Sequence, residues 1–150
     1  MTARPIPQGY HTVTPYLIVK NAAQALDFYR RAFGAQELMR FDQPDGKIGD
    51  SPVMLADEFP EMGFRSPETL GGAGVGLMVY VENVDAVFSQ AISAGAKQHK
   101  ALQDQFWGDR TGTVTDPFGH VWTIATHKED VDPKEMKRRF ETMMKQMAAK

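Results

Sequence analysis

One order of signals occurs twice along this chain, and that repetition restricts its fold more than any single residue does. In the first half, Thr12 to Val19 (TVTPYLIV) alternates as a strand, and Asn21 to Phe33 reads as a helix stopped by Gly34-Ala35. Asn21 and Gln24 have capping-box spacing, and Ala22, Leu26, Tyr29 and Phe33 form an apolar stripe. In the second half, Val75 to Val81 (VGLMVYV) is a strand. Asn83 to Ala94 follows as a helix that turns Val84, Val87, Phe88 and Ala91 inward and stops at Gly95-Ala96. The shared strand, Asn cap, helix and Gly-Ala stop argue for an internal duplication.

Strands follow each helix. In the second copy they are Lys97 to Gln103, Gly112 to Thr115 and Val121 to Thr126, the last entered through the turn DPFGH, Asp116 to His120. In the first copy Glu37 to Phe41 is a strand, Gln43 to Gly46 (QPDG) a turn, and Val53 to Asp57 a further strand. The path from Gly34 to Ser51 is shorter than that from Gly95 to His120 by about one strand. Either the first copy lacks a strand, or a segment is missing from it. The expected organisation is one domain: module one over about 10–58, a Pro- and Gly-rich linker over 59–74, module two over about 75–128, and a helix over about 132–149. That last helix opens with Asp132-Pro-Lys-Glu, a capping box with Pro at its first position. Met136, Phe140, Met143, Met144 and Met147 fall on one stripe, which must be buried on its own domain or on a second subunit.

Composition excludes several classes. A net charge of -2 gives no reason to expect nucleic acid, and Lys137-Arg138-Arg139 beside Glu135 and Glu141 reads as a solvated helix face. With no cysteine there is no disulfide framework, thiolate nucleophile or cysteine zinc site. MTARPIPQGY lacks a signal-peptide core and no run could span a bilayer, so a cytoplasmic protein without membrane contact is expected. GGAGVG, Gly71 to Gly76, fails dinucleotide spacing and precedes a strand, so it reads as a flexible joint. There is no nucleophile elbow or Walker pattern, and no serine has a histidine nearby in sequence.

A tandem βαβββ unit closed by D-P-x-G-H and an apolar strand resembles the vicinal oxygen chelate superfamily, which includes glyoxalase I and bleomycin- and fosfomycin-resistance proteins. PYLIV, SPVMLADE, DQFWGDR and DPFGHVWTIATH, within about Gly9 to Lys128, resemble its PhnB-like glyoxalase/bleomycin-resistance group. The resemblance implies an α+β fold: tandem modules forming a curved, cup-like mixed sheet with helices on the outer face, plus the extra C-terminal helix. It also implies where a metal would be held, one ligand slot on the first and one on the last strand of each module. Those slots fall at Thr14, Met54, Gly76 and Thr123, none a histidine or carboxylate, so no metal is expected. His120 belongs to the turn, and His11, His99 and His127 read as structural. Asp57, Glu58 and Glu61 read as a solvated acidic loop. PhnB-like chains also resemble sequences labelled as methyltransferases, but nothing here resembles a methyl-donor site.

If the slots face the cup, so do Thr14, Tyr16 and Ile18, then Met54 and Ala56, then Gly76, Met78 and Tyr80, and finally Thr123 and Ala125. Leu17, Val19, Leu77, Val79, Trp122 and Ile124 should pack against the helices. Aromatic rings, methionines and hydroxyls make apolar walls with a few polar anchors, as small-molecule pockets have. Gln105 to Arg110 (QFWGDR) is a second candidate, with Trp107 for a planar ligand and Arg110 as a fork for a carboxylate or phosphonate. Alternatively Arg110 pairs with Asp116 and pins the DPFGH turn. The ligand-binding set is thus Thr14, Tyr16, Met54, Met78, Tyr80, Gln105, Trp107, Arg110 and Thr123. The expected function is metal-free binding or sequestration of an aromatic or amphipathic small molecule by a homodimer. The rivals are a superfamily lyase, isomerase or dioxygenase with a divalent metal held elsewhere, and an accessory protein with a vestigial cup.

Overall fold

A computed structural model describes residues 3–40 and 44–150. The first half runs β1 (Tyr16–Val19), α1 (Ala22–Phe33), β2 (Gln36–Arg40), β3 (Pro44–Ile48) and β4 (Ser51–Asp57). A 3₁₀ turn (Pro60–Met62) and the one-turn helix α2 (Pro67–Leu70) lie in the joining stretch. The second half runs β5 (Gly76–Tyr80), α3 (Val84–Ala94), β6 (Lys97–Asp104), β7 (Asp109–Thr115) and β8 (Val121–His127), and α4 (Pro133–Ala148) follows. Each half is a βαβββ unit, so the fold is α+β as expected.

The helices start where side chains can take their orphan N–H groups. Asn21 accepts from Gln24 N at 3.0 Å and Asn83 from Ala86 N at 3.1 Å, so the two copies are capped alike. Asp132 accepts from Lys134 N and Glu135 N at the head of α4. Asp57 accepts from Ala22 N at 2.7 Å, and Glu58 accepts from Ser66 N and the Thr69 hydroxyl. These two carboxylates therefore hold helix starts in place, whereas a merely solvated loop was expected. The bonds from Ser66 and Thr69 bring the Glu58 carboxyl down to about 2.

The strands form two four-stranded mixed sheets, one per module, ordered β1-β4-β3-β2 and β5-β8-β7-β6, as the tandem βαβββ reading expects. The first and last strands of each copy pair in parallel, aligning Tyr16 with Met54 and Met78 with Thr123. The first copy has its full four strands. Its shortfall comes from strand length: β2 and β3 have 5 residues each, against 8 and 7 in β6 and β7. The expected QPDG turn begins at Gln43, outside the described residues, and its Pro44, Asp45 and Gly46 open β3 instead. Proline is tolerated there, at a strand's first residue. β1 starts at Tyr16 rather than Thr12 because Pro15 has no N–H to offer a ladder.

The core lies between the two copies. α1 and α3 run together, with Gln90 Nε2 donating to the Arg31 and Ala32 carbonyls at 2.6 and 3.2 Å. Leu17, Val19, Trp122 and Ile124 are buried, and Leu77 and Val79 pack at the margin, so the helix-facing sides of the strands are those expected. Each such side chain stabilises the fold by roughly 1.5–3 kcal/mol. Trp122 packs on Tyr29 and Phe33 of α1, with ring centroids 5.3 and 4.9 Å away.

The DPFGH turn locks this junction. Asp116 accepts from Tyr29 OH at 2.6 Å, Trp122 Nε1 at 2.9 Å, Phe118 N at 2.9 Å and His120 N at 3.0 Å. Burial, and then the adjacent Asp116 charge, push the Tyr29 hydroxyl well above its ordinary value. Gly119 has φ +90°, and a Cβ there would lie 2.8 Å from Pro67, so this turn requires glycine on both counts. Asp116 is thus satisfied without Arg110, contrary to the pairing considered from sequence. On α4 no residue is fully buried: Phe140 packs against Phe106 with ring centroids 5.3 Å apart and Met136 and Met143 are half-buried, but Phe140, Met144 and Met147 stay largely exposed, so its own domain covers the stripe only in part.

Candidate functional site

Strand alternation sorts the side chains of β7 into two faces. A Cβ on Gly112 would lie 2.7 Å from the Phe88 ring, and Val114 is fully buried, so these positions face α3. Asp109, Thr111 and Thr113 therefore point the other way, onto the concave face. On β8 the same face carries Thr123, Ala125 and His127, and on β5 it carries Gly76, Met78 and Tyr80. Met78 is 51% and Tyr80 59% exposed, although Trp122 and Ile124 behind them are buried.

Asp109, 3% exposed, organises one end of this face. Its Oδ2 accepts from Tyr80 OH at 2.9 Å and Trp107 Nε1 at 3.0 Å, and its Oδ1 faces His127 Nδ1 at 2.7 Å. The other ring nitrogen of His127 faces Asp130 at 3.0 Å. With a carboxylate at each nitrogen, both carry protons in the charged ring, and these two bonds raise the His127 pKa. Burial pushes the Asp109 carboxyl up, but the bonds from His127, Tyr80 and Trp107 outweigh it and hold the carboxyl below its ordinary range. The bond to Asp109, followed by burial, raises the Tyr80 phenol, which stays neutral and donating. Further along, Gln105 Nε2 donates to Thr111 Oγ1 at 2.8 Å, and the Thr113 and Thr123 hydroxyls lie 3.2 Å apart. Polar tips are engaged with the sheet while the rings of Tyr80 and Trp107 are left as surfaces.

Of the nine residues expected to bind ligand, Met78, Tyr80, Gln105, Trp107 and Thr123 belong to this second-module set. Tyr16 and Met54 are aligned on the first sheet, where Tyr16 stands 6.2 Å from Phe64. Thr14 precedes β1 and its hydroxyl donates to the His11 carbonyl at 3.2 Å. Arg110 lies on the opposite face of β7. Its guanidinium grips Asp85 through two bonds of 2.9 Å and reaches Asp104 at 3.3 Å, so its fork is taken by helix α3.

The matching family model settles the lineage. Residues 10–124 match the Glyoxalase/Bleomycin resistance protein/Dioxygenase superfamily. The chain belongs to that superfamily. A Mycobacterium tuberculosis protein, Rv0887c, is 45% identical over 134 residues, covering 83% of this chain and 79% of the relative. The crystal structure of TioX from Micromonospora sp. ML1 superposes with TM-score 0.62 at 29% identity, over 78% of this chain and 98% of that one. Fosfomycin resistance protein FosX from Mesorhizobium loti, at 13% identity and TM-score 0.61 over 77% and 91% of the two chains, shares the fold.

Metal-bearing members of the glyoxalase superfamily set a test for the slots of this chain. Thr14 lies off the strand, Met54 and Gly76 offer no hard donor, and Thr123 faces Thr113. Among the described residues, no three His, Asp or Glu side chains converge on a point. These positions do not fit a divalent ion.

Two members of the concave cluster escaped the sequence reading. His127 was read as a structural strand end because the last strand was stopped at Thr126; one more step of the alternation Thr123, Ala125, His127 places it on this face. Asp109 was given no ligand role within the QFWGDR stretch, yet its alternation with Thr111 and Thr113 carried the same signal.

Proposed function

We propose that this chain is a metal-free, PhnB-like member of the superfamily that binds or sequesters an aromatic or amphipathic small molecule on the concave face of its second module. One observation carries the reading. Met78 and Tyr80 stand open on a sheet whose other side is packed, and the rings of Tyr80 and Trp107 are oriented by a nearly buried carboxylate. Rigid apolar surface with a few oriented polar groups is what recognition of a small amphipathic molecule needs. The resistance proteins named in the family description and among the fold neighbours agree with a small-molecule ligand.

The protein acts in the cytoplasm as a homodimer. The homodimer's support is the stripe of α4, whose Phe140, Met144 and Met147 remain exposed. Removing residues from Asp132 onward should dissociate the dimer in sedimentation analysis; an unchanged oligomeric state removes α4 from the interface.

A thermal-shift screen over aromatic metabolites and antibiotics tests the function. A ligand at a hundred times its Kd stabilises the native state by about 2.7 kcal/mol. Thr123→Trp should fill the concave face and abolish that shift while leaving the unliganded protein folded. Elemental mass spectrometry of protein purified without chelator should find well under one equivalent of metal. Stoichiometric metal, lost on replacing a histidine or carboxylate, favours a lyase, isomerase or dioxygenase instead.

A further inference from the structure

A second cavity lies at the junction of the modules. It measures about 310 Å³ and is walled by Pro15 to Ile18 at the edge of β1, by Pro67 and Leu70 of α2, by the joint Gly72 to Val75, and by Leu77 of β5. Only Arg65 among its lining residues bears a formal charge, the other polar groups being His120 and Tyr16. Arg65 makes no hydrogen bond or ion pair among the described residues. The neighbouring charges are already matched, Lys20 with Glu68 at 3.3 Å and Glu58 with Ser66 and Thr69. His120 is fixed by its Nε2 at 3.0 Å from the Ile18 carbonyl, which as an acceptor requires the proton on Nε2. An apolar cleft of this size with one unpaired guanidinium at its wall suits an apolar body ending in a single anionic group.

We propose that this cleft is a binding site for small amphipathic monoanions, with Arg65 receiving the carboxylate and Leu17, Leu70, Val75 and Leu77 receiving the apolar body. The site goes beyond the concave face of module two and is built where the glycine-rich joint crosses from one module to the other. Arg65 confers the preference for an anion, since a charge-assisted, two-pronged bond is available to a carboxylate and not to an alcohol. Leu70 and Val75 are exposed without a ligand, and occupancy covers them.

The test uses 4-phenylbutyrate and 4-phenylbutan-1-ol, which share one apolar body and differ in charge. Titration of the whole chain, followed by backbone amide chemical shifts, should show the acid binding about tenfold more tightly than the alcohol. The shifts should centre on Ile18, Arg65 and Gly72 to Val75. Arg65→Gln should raise the Kd of the acid to that of the alcohol and leave the alcohol unchanged. Because Arg65 is exposed and unpartnered, its replacement should not alter the melting temperature. Leu70→Glu, on the apolar wall, should weaken both. The assignment is overturned if the acid binds no better than the alcohol, or if its advantage survives Arg65→Gln. It is equally overturned if the shifts centre on Met78, Tyr80 and Thr123, or if neither compound binds below about 5 mM.

Discussion

Asp109 opens strand β7 and Asp116 directly follows its last residue, and the two carboxylates do opposite things with similar means. Both are almost fully buried, at 3% and 4% exposure, and each accepts from a tyrosine hydroxyl and a tryptophan N–H. An odd separation along an alternating strand turns them to opposite faces. Asp116 faces the helices, and its donors are two backbone groups and two core rings, one of them from the other module. Asp109 faces the concave side, and its donors are side chains whose other surfaces meet solvent. The same chemistry therefore closes a core in one place and holds a platform open in the other. What distinguishes a structural carboxylate from a site carboxylate here is whether its donors have a second face left to offer.

The comparison breaks first, and with the largest effect, at Asp116→Asn. An amide keeps one accepting oxygen and replaces the other with a donor. One side of Asp116 receives two backbone N–H groups and the other receives Tyr29 and Trp122, so the new NH₂ must oppose existing donors whichever way it turns. Leaving such buried groups unpaired should cost about 3 kcal/mol or more in urea denaturation. A loss under about 1 kcal/mol would mean the turn does not tie the modules together.

Asp109→Asn should be much milder. Its Oδ2 side can keep both Tyr80 and Trp107, while the amide NH₂ faces His127, which can release its Nδ1 proton and accept. We expect a cost of about 1 kcal/mol in the same denaturation experiment. Binding should suffer more than folding: for a ligand found by the thermal-shift screen, affinity should fall about tenfold as the rings lose a charged anchor. Equal stability losses at the two aspartates, with affinity intact, would show that Asp109 is merely a second core tie.

Much of this was readable beforehand, and the division is physical. The Asn caps, the Gly-Ala stops and the helix-facing residues Leu17, Trp122 and Ile124 announce themselves through local backbone chemistry and period-2 burial, which need no partner from afar. Met78, Tyr80 and Thr123 were placed on one face by the same alternation. Asp109 and His127 were hidden because their meaning depends on pairs 18 residues apart, and polar residues at a strand's end look like loop. Arg110 misled for a related reason: its partner Asp85 is 25 residues away on another element. The missing strand was inferred from length, and strands can shorten rather than vanish. Sequence period reports the face of a residue; it does not report which distant charge will meet it there.

The finest separation of the two aspartates is by pH. His127 has a folded-state pKa raised above its ordinary value by Asp109 and Asp130, so the stability it contributes is fully present below about pH 6.5 and is lost as pH rises through the raised value. Asp109 has a lowered pKa, and its contribution disappears only as the solution becomes strongly acidic. The melting-temperature difference between the native chain and His127→Gln should therefore be greatest near about pH 6 and shrink toward about pH 9. The side chain is half exposed, so the change should be small, within the range of surface ion pairs. Asp116→Asn supplies the contrast. Its partners are backbone groups, an indole and a phenol pushed above its ordinary value, none of which titrates between those limits, so its deficit should stay constant. A constant His127→Gln difference would mean that Asp109 holds a neutral ring. A deficit at Asp116 that varied over the same range would tie that carboxylate to a titrating partner and erase the distinction between the two ends of β7.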